Sequence, residues 1–153
     1  MKNKLFTLSS IILISFSIQV SAQVDPIAAL IPQVGQVDFF EGSWKELLAH
    51  AKETDKPFFV DIYTEWCSPC KLMSKFTFTD SQVADFANAN FVSYQIDAEK
   101  GEGEDIADEY KVKAFPTVLF FDSNGKLLGK AVGYYDHERF LGVMEKYLKK
   151  ITK

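Results

Sequence analysis

Apolar and polar residues follow two different periods along this chain. From residue 37 onward, short apolar runs alternate with stretches in which apolar residues recur every three or four positions. Runs of the first kind are typical of buried strands, and the second pattern is typical of amphipathic helices. The predicted strands are 37–40, 58–63, 91–96, 118–121 and 127–133, and the predicted helices are 44–53, 71–76, 81–89, 106–110 and a last one after Asp136.

Local signals mark where several of these elements begin and end. Ser43 and Glu46 have the spacing of a capping box, in which each residue satisfies a backbone N–H of the other. Asp80 and Asp136 are predicted N-cap residues of the two helices that follow them. Residues 122–126, with Asn-Gly near the centre, are typical of a hairpin turn.

The order of the elements predicts the fold class. Strands that alternate with helices, followed by a terminal hairpin and a helix, predict an α/β domain with a mixed central sheet and helices on both faces. Strands joined through helices are expected to run parallel, and the hairpin strands antiparallel. We expect the helix after 71 to falter at 76–79, where aromatic and β-branched residues cluster, and the acidic residues 98–105 to form a loop.

The first 22 residues have the pattern of a secretory signal peptide. Lys2 and Lys4 precede a mostly apolar stretch from Leu5 to Val20, and Ser21-Ala22 supply small residues for cleavage. The alternative is an uncleaved anchor, although the stretch is short for a membrane span and is interrupted by serine and threonine. We therefore predict cleavage and a periplasmic or secreted protein.

The composition of the whole chain indicates its class of protein. With 47% hydrophobic and 25% charged residues, it is typical of a globular domain. The net charge is −4 and no basic run appears, so nucleic acid is not a predicted partner. Residues 23–36 are predicted to be a linker, because they contain two prolines and a glycine among scattered apolar residues. Residues 37–153 are predicted to form one domain, which we expect to be monomeric.

The two cysteines of the chain, Cys67 and Cys70, are separated by Ser68 and Pro69. They lie between a predicted buried strand and a predicted helix. Unpaired N–H groups and the helix dipole stabilise a thiolate at such a position, and proline suits the first helical turn. Sulfurs at this spacing can approach closely enough to form a disulfide. The leading hypothesis is a redox-active pair.

Two other interpretations of the cysteine pair remain open. A zinc site usually needs four ligands, and the two histidines, His50 and His137, lack companion spacing. An inert structural bridge is the second, but a bridge across two residues constrains little of the unfolded chain. We predict no metal and no bound cofactor other than a redox-active Cys67–Cys70 disulfide.

Asp61 is the one acidic residue in the apolar run 58–63. Burial of a carboxylate is unfavourable, so an acid in such a strand is unusual. A buried carboxyl group has a raised pKa and can accept a proton near neutral pH. The alternative is an exposed acid on an edge strand. We predict that Asp61 is buried and takes part in catalysis.

These residues together resemble the thioredoxin family. The matching positions are Asp61, Trp66-Cys67-Ser68-Pro69-Cys70-Lys71, Phe115-Pro116-Thr117 and Gly133. Within the family, the chain is similar to the periplasmic C-terminal domain of DsbD-type thiol–disulfide interchange reductases, through 56–57, 61–63, 66–67, 77–83 and 119–122. Many thioredoxins place a lysine beside the buried acid. The corresponding residue here is Ser93, so the resemblance supplies no charge partner for Asp61.

The resemblance implies a thioredoxin fold and a role for each reacting group. Cys67 is the attacking thiolate and Cys70 is the resolving thiol. Asp61 lies below the pair and accepts the proton of Cys70. Because Cys70 lies inside the first helical turn, we also expect it to be more buried than Cys67.

The resemblance also implies a substrate-binding surface. Pro116 follows a cis peptide bond and faces the disulfide, and the backbone of Phe115 pairs with an extended substrate peptide. Trp66 packs beside the site. The other residues expected near the site are Ser68, Pro69 and Lys71.

These expectations combine into one functional hypothesis. The protein is an exported thiol–disulfide oxidoreductase that reduces disulfide-bearing proteins. An upstream thiol reductant supplies the electrons, and a membrane electron-transfer protein is a candidate for it. The alternatives are a disulfide oxidase or isomerase, and a non-catalytic peptide-binding module with a thioredoxin-like fold.

Overall fold

The computed structural model describes residues 35–151 of the 153-residue chain, so the predicted signal peptide and most of the predicted linker lie outside the described residues. Its strands are β1 (Phe58–Tyr63), β2 (Val92–Asp97), β3 (Thr117–Phe121) and β4 (Leu127–Val132). Its α-helices are α1 (Trp44–Thr54), α2 (Ser68–Leu72), α3 (Ser81–Asn90), α4 (Glu102–Glu109) and α5 (His137–Ile151). Each helix within 35–151 is too short or too polar to span a membrane.

The four strands form one mixed sheet in the order β2-β1-β3-β4. β1 pairs in parallel with β2 and antiparallel with β3, and β4 pairs antiparallel with β3. The predicted mixed sheet and antiparallel hairpin are therefore confirmed. β1 lies inside the sheet and is buried on both of its faces. This burial explains its nearly continuous apolar sequence.

The expected parallel arrangement of β2 and β3 is wrong, because β3 runs antiparallel to β1 and so also to β2. The connection after α4 explains the difference. Seven residues, 110–116, join α4 to β3, and an extended segment of that length spans about 23 Å. The chain can therefore return to the end of the sheet at which β2 ended. Thr117 then enters the sheet opposite Ile62, near the end of β1.

Alternate side chains of β1 enter two separate apolar clusters, one on each face of the sheet. Phe58, Val60 and Ile62 pack with residues of α1 and α4, whereas Phe59 packs with residues of α3 and α5. The predicted helices on both faces are confirmed. Because side chains alternate along a strand, Asp61 is on the face of Phe59.

The predicted helix caps are present. Ser43 Oγ accepts a hydrogen bond from the N–H of Glu46, whose carboxylate accepts one from the N–H of Ser43. Asp80 accepts hydrogen bonds from the first turn of α3, and Asp136 Oδ1 accepts one from the N–H of Arg139 in α5. Each cap satisfies backbone donors that have no partner inside the helix.

The predicted strand at 37–40 is reduced to a single bridge between Phe39 and Ser93. Its other backbone groups have partners outside the sheet. The N–H of Val37 donates to the carbonyl of Phe78, and that of Asp38 donates to the side chain of Asn88. The segment therefore crosses the edge of β2 instead of extending it.

The predicted loop at 98–105 is partly wrong, because α4 begins at Glu102. Acidic side chains in the first turn favour the positive end of a helix dipole, and α4 has three of them. Gly103 is required by close packing: a Cβ atom there would lie 2.0 Å from the carbonyl oxygen of Asp97. Gly103 therefore allows α4 to lie against the end of β2.

The helix that contains Cys70 changes form after one turn and a half. α2 passes into a π-helical segment, Met73–Thr77, which ends where the N–H of Phe78 donates to the carbonyl of Met73. The irregularity overlaps the one predicted at 76–79 but begins earlier, at Met73. It leaves Leu72 and Phe76 exposed beside the buried Met73.

Candidate active site

Cys67 and Cys70 lie at the junction between the end of β1 and the start of α2. They form a disulfide with Cα atoms 5.3 Å apart. Cys67 is the N-cap residue of α2, and its Sγ atom accepts a hydrogen bond of 3.1 Å from the N–H of Cys70. Ser68 and Pro69 are the first two residues of α2 and are exposed. The strand-to-helix position predicted for the pair is confirmed.

Exposure does not distinguish the two cysteines. Each is 3% exposed in the disulfide form, so the expected deeper burial of Cys70 is not observed. The bridge holds both sulfurs against the protein. The two cysteines differ in their hydrogen bonds. Cys67 Sγ, at the N-cap position, accepts a hydrogen bond from the backbone N–H of Cys70.

Asp61 is fully buried, as the sequence predicted. Burial raises the pKa of its carboxyl group to about 6, and a hydrogen bond from Gln95 acts in the opposite direction. Gln95 Nε2 donates to Asp61 Oδ2 at 2.9 Å. Asp61 Oδ1 has no hydrogen-bond partner within 35–151. The carboxyl group can therefore exchange a proton near neutral pH.

The partner of Asp61 is thus Gln95 and not the residue at the lysine position. In the register of β1 and β2, Asp61 faces Gln95, whereas Ser93 faces Phe59. Sequence reasoning missed Gln95, because a polar residue in a strand shows its partner only when the register of the neighbouring strand is known.

A cleft of about 730 Å³ lies beside Cys70. Its other lining residues come from the end of β1, the turn after it, β2 and the helix after Cys70: Tyr63, Thr64, Glu65, Lys71, Ser74, Lys75 and Gln95. Lys71, which was predicted to lie near the site, is exposed at this cleft. The disulfide is therefore bordered on the Cys70 side by an open depression, most of whose lining residues carry polar groups.

Trp66 lies on the surface, directly before Cys67, and is 65% exposed. Its indole Nε1 donates to the carboxylate of Glu99 at 3.0 Å. Its ring meets that of Phe115 edge-to-face, with centroids 5.9 Å apart. Glu99 is a second residue that sequence reasoning missed, because it belongs to the stretch predicted to be a solvent-exposed loop.

The Phe115–Pro116 peptide bond is cis, as the resemblance implied. The carbonyl of Pro116 accepts a hydrogen bond of 2.8 Å from the N–H of Gly133. Because Trp66 contacts Phe115, the segment before β3 lies next to the turn that carries the cysteines. The structure therefore brings Trp66, Phe115, Pro116 and the disulfide to the same end of the sheet, where β1 ends and β3 begins.

Both cysteine sulfurs are bonded to each other. Within 35–151, no group of three or more histidine, cysteine or acidic side chains is placed to hold a metal ion. His50 instead stacks on Phe40, with ring centroids 5.2 Å apart.

Known proteins are similar to this chain in sequence and in fold. A family model for the thioredoxin-like domain matches residues 44–148. The solution structure of a candidate disulphide-isomerase from Bacteroides thetaiotaomicron is 41% identical, with a TM-score of 0.68, over 76% of this chain and 97% of that one. The two chains therefore share the fold over most of their lengths.

Two relatives with curated names match a smaller share of their own length. The thiol:disulfide interchange protein DsbD of Pseudoalteromonas atlantica is 40% identical over 95 residues, which cover 61% of this chain and 15% of that protein. The M-type chloroplast thioredoxin of Spinacia oleracea is 31% identical over 111 residues, which cover 72% of this chain and 56% of that protein. The chain belongs to the thioredoxin-like family and is a thiol–disulfide oxidoreductase of that family.

Proposed function

We propose that this protein reduces disulfide bonds in other proteins outside the cytoplasm, through a cycle between the dithiol and disulfide forms of Cys67 and Cys70. The observation that carries the proposal is the placement of Cys67 Sγ at the N-cap of α2, where it accepts the N–H of Cys70. Such a position favours a thiolate, which is the nucleophile in disulfide exchange.

In the first step, the thiolate of Cys67 attacks one sulfur of the substrate disulfide. The substrate S–S bond breaks as the bond from Cys67 Sγ to that sulfur forms. The other substrate sulfur leaves as a thiolate and takes a proton from solvent. The product is a mixed disulfide between Cys67 and the substrate.

In the second step, Cys70 releases the substrate. Asp61 accepts the proton of the Cys70 thiol, and the resulting thiolate attacks Cys67 Sγ. The mixed disulfide breaks, and the substrate leaves with its second sulfur as a thiolate. Two electrons have then passed to the substrate, and the protein is left with the Cys67–Cys70 disulfide seen in the structure.

The substrate peptide binds along the segment before β3. We place its backbone beside that of Phe115, and its side chains against the exposed ring of Trp66. Extended peptides commonly bind through backbone hydrogen bonds of this kind, while neighbouring pockets select side chains. The edge-to-face contact between Trp66 and Phe115 supports this placement, because it makes the two residues one continuous surface.

The location and the direction of the reaction rest on separate grounds. The pattern of residues 1–22 supports export, and 37–153 would be the functional domain that remains. The similarity to DsbD supports reduction, with electrons from an upstream thiol reductant such as a membrane electron-transfer protein. Isomerisation is the second candidate, because the protein from Bacteroides thetaiotaomicron is described as a candidate disulphide-isomerase.

The decisive experiment compares the wild type with Cys67→Ser in the reduction of a protein disulfide by a dithiol donor. We expect catalysis by the wild type and none by the variant; equal activity of the two would favour a peptide-binding module.

Equilibration with glutathione then gives the direction of the reaction. A reduction potential near −270 mV would support a reductant, and one near −120 mV an oxidase. Faster recovery of a protein with scrambled disulfides than of a reduced one would support the isomerase.

A further inference from the structure

Gln95 makes the one hydrogen bond that the carboxyl group of Asp61 receives from the described residues. The two side chains extend from directly paired positions of the parallel strands β1 and β2. Gln95 Nε2 donates to Oδ2 of the carboxyl group at 2.9 Å, and Oδ1 is left without a partner in this part of the chain. An amide NH₂ can only donate, so this contact favours the ionised carboxylate over the protonated acid.

Gln95 also lies between the buried acid and the open cleft beside Cys70. It is half-buried and lines that cleft together with Ser74. Its Nε2 atom is 3.5 Å from Ser74 Oγ on the π-helical segment. The amide is thus held from two sides, and it donates to Oδ2, whereas Oδ1, which is also buried, accepts no hydrogen bond from the described residues.

Charged side chains surround the cleft without bonding to Asp61. The titratable groups that line it are Cys70, Tyr63, Glu65, Lys71 and Lys75. At the end of β2, Asp97 faces Tyr63, and Lys100 forms ion pairs with Glu65 and Asp97. The pKa of Asp61 is raised by burial and lowered by the Gln95 amide, and no ionic contact is among its causes. The amide is therefore the neighbour that most directly controls the protonation of Asp61.

We propose that Gln95 is a positioning residue for proton transfer: it occupies Oδ2 of Asp61, keeps the carboxylate ionised, and leaves Oδ1 as the oxygen that accepts the proton of Cys70. The inference rests on the proposed function, because it assumes that Asp61 is the proton acceptor in the resolving step. In that step the proton moves from Cys70 Sγ to Asp61 Oδ1, the S–H bond breaks and the O–H bond forms. Gln95 neither gains nor loses a proton in this step.

A merely structural hydrogen bond would affect stability without changing the pH dependence of this step. The test is therefore the rate at which a preformed mixed disulfide on Cys67 is resolved, measured from about pH 5 to about pH 9. Gln95→Met keeps the length of the side chain and removes the donor. We expect the midpoint of its profile to move upward by about one pH unit, which makes resolution roughly fivefold slower near pH 6, roughly tenfold slower near pH 5, and restores it at high pH.

A second variant makes the opposite prediction. Gln95→Lys places an ammonium group, which can reach the cleft, near the carboxylate, and a positive charge favours ionisation. We expect its midpoint to move below that of the wild type. Far-ultraviolet circular dichroism checks that each variant is folded. Two variants with opposite predictions keep the test decisive even if one of them does not fold.

Ser93→Ala is the matched control. Ser93 is buried on the same face of β2, and its hydroxyl group has no hydrogen-bond partner within 35–151. Its profile should match the wild type. Midpoints of Gln95→Met and Gln95→Lys at the wild-type value would overturn the inference. The proposed role of Asp61 fails separately, if Asp61→Asn retains the wild-type profile.

Discussion

The backbone N–H of Cys70 donates a hydrogen bond to the Sγ atom of Cys67 across 3.1 Å. The donor belongs to the first turn of α2, and the acceptor is the N-cap residue. A helix offers such unpaired N–H groups at its start, where its dipole also favours negative charge. When the disulfide is reduced, the same geometry stabilises a thiolate on Cys67 and offers Cys70 nothing equivalent. This relationship supports the proposed roles, in which Cys67 attacks and Cys70 resolves.

The first prediction concerns the reactivity of the two thiols. In the reduced protein, a limiting amount of iodoacetamide at neutral pH should alkylate Cys67 first, because its thiolate is stabilised at the helix start. Peptide mapping by mass spectrometry measures the two positions. Under denaturing conditions, where the helix is lost, the two cysteines should react alike. Equal labelling of the folded protein, or faster labelling of Cys70, would contradict the assignment.

The second prediction concerns the stability cost of Asp61. Burial raises the pKa of this group from 3.8 to about 6, so the folded protein binds the proton more tightly than the unfolded chain. The free energy of unfolding therefore falls as the pH rises from about 4 to about 6. Above that range the full penalty remains, and a shift of this size corresponds to about 3 kcal/mol.

Asp61→Asn removes this penalty and keeps an acceptor for Gln95. We expect the variant to be more stable than the wild type above about pH 6, by up to about 3 kcal/mol, and the gain to vanish near pH 4. Urea denaturation at several pH values measures it. Asp85→Asn, at an exposed position of α3, removes the same charge and should show no such pH-dependent gain. A variant that is less stable than the wild type at pH 8 would make Asp61 a structural residue.

The third prediction concerns the hydrogen bond from the indole N–H of Trp66 to the carboxylate of Glu99. Glu99→Ala removes the acceptor of the indole N–H and frees the ring, so we expect KM for a peptide disulfide to rise about fivefold, which is equivalent to about 1 kcal/mol. The value of kcat should change little, because the cysteines are untouched. Glu104→Ala, an exposed position on α4, is the matched control. An unchanged KM would remove Trp66 from the proposed binding surface.

The fourth prediction tests why α4 begins earlier than the sequence suggested. Gly103→Ala would place a Cβ atom 2.0 Å from the carbonyl oxygen of Asp97, which forces backbone movement. We expect a loss of about 3 kcal/mol in the free energy of unfolding. Gly142→Ala, on α5, meets no atom within 4 Å and should gain up to about 1 kcal/mol from its higher helix propensity. Thermal denaturation of both variants compares them, and similar effects would show that close packing does not explain Gly103.

The parts of the site that could be predicted from sequence are local. Helix caps, the strand-to-helix turn at the cysteines and the burial of Asp61 follow from residue types within a few positions of one another. Contacts between distant residues could not be predicted in this way. Gln95 meets Asp61 because two parallel strands adopt one register, and Glu99, in the turn after β2, meets Trp66 although 33 positions of sequence separate the two residues. Both depend on how the elements are assembled.

The same reasoning explains the errors in the predicted fold. Residues 98–105 were predicted to form a loop, whereas Gly103 lies in α4, where the close approach of a carbonyl oxygen leaves no room for a Cβ atom. The direction of β3 depends on how far the connection after α4 extends, which no local periodicity reports. The segment at 37–40 has the composition of a strand, but its backbone groups find partners on Phe78 and Asn88.

The central claim is that Cys67 attacks and Cys70 resolves, and Cys70→Ser tests it most directly. A serine hydroxyl is a much weaker acid than a thiol and does not exchange with disulfides, so the mixed disulfide on Cys67 should persist. Incubation of reduced Cys70→Ser with a peptide disulfide, followed by mass spectrometry of the intact protein, measures the adduct. We predict one adduct on Cys67 that dissolves in dithiothreitol and does not form in Cys67→Ser/Cys70→Ser. No adduct on Cys70→Ser, under conditions in which the wild type turns over the same peptide, would contradict the account.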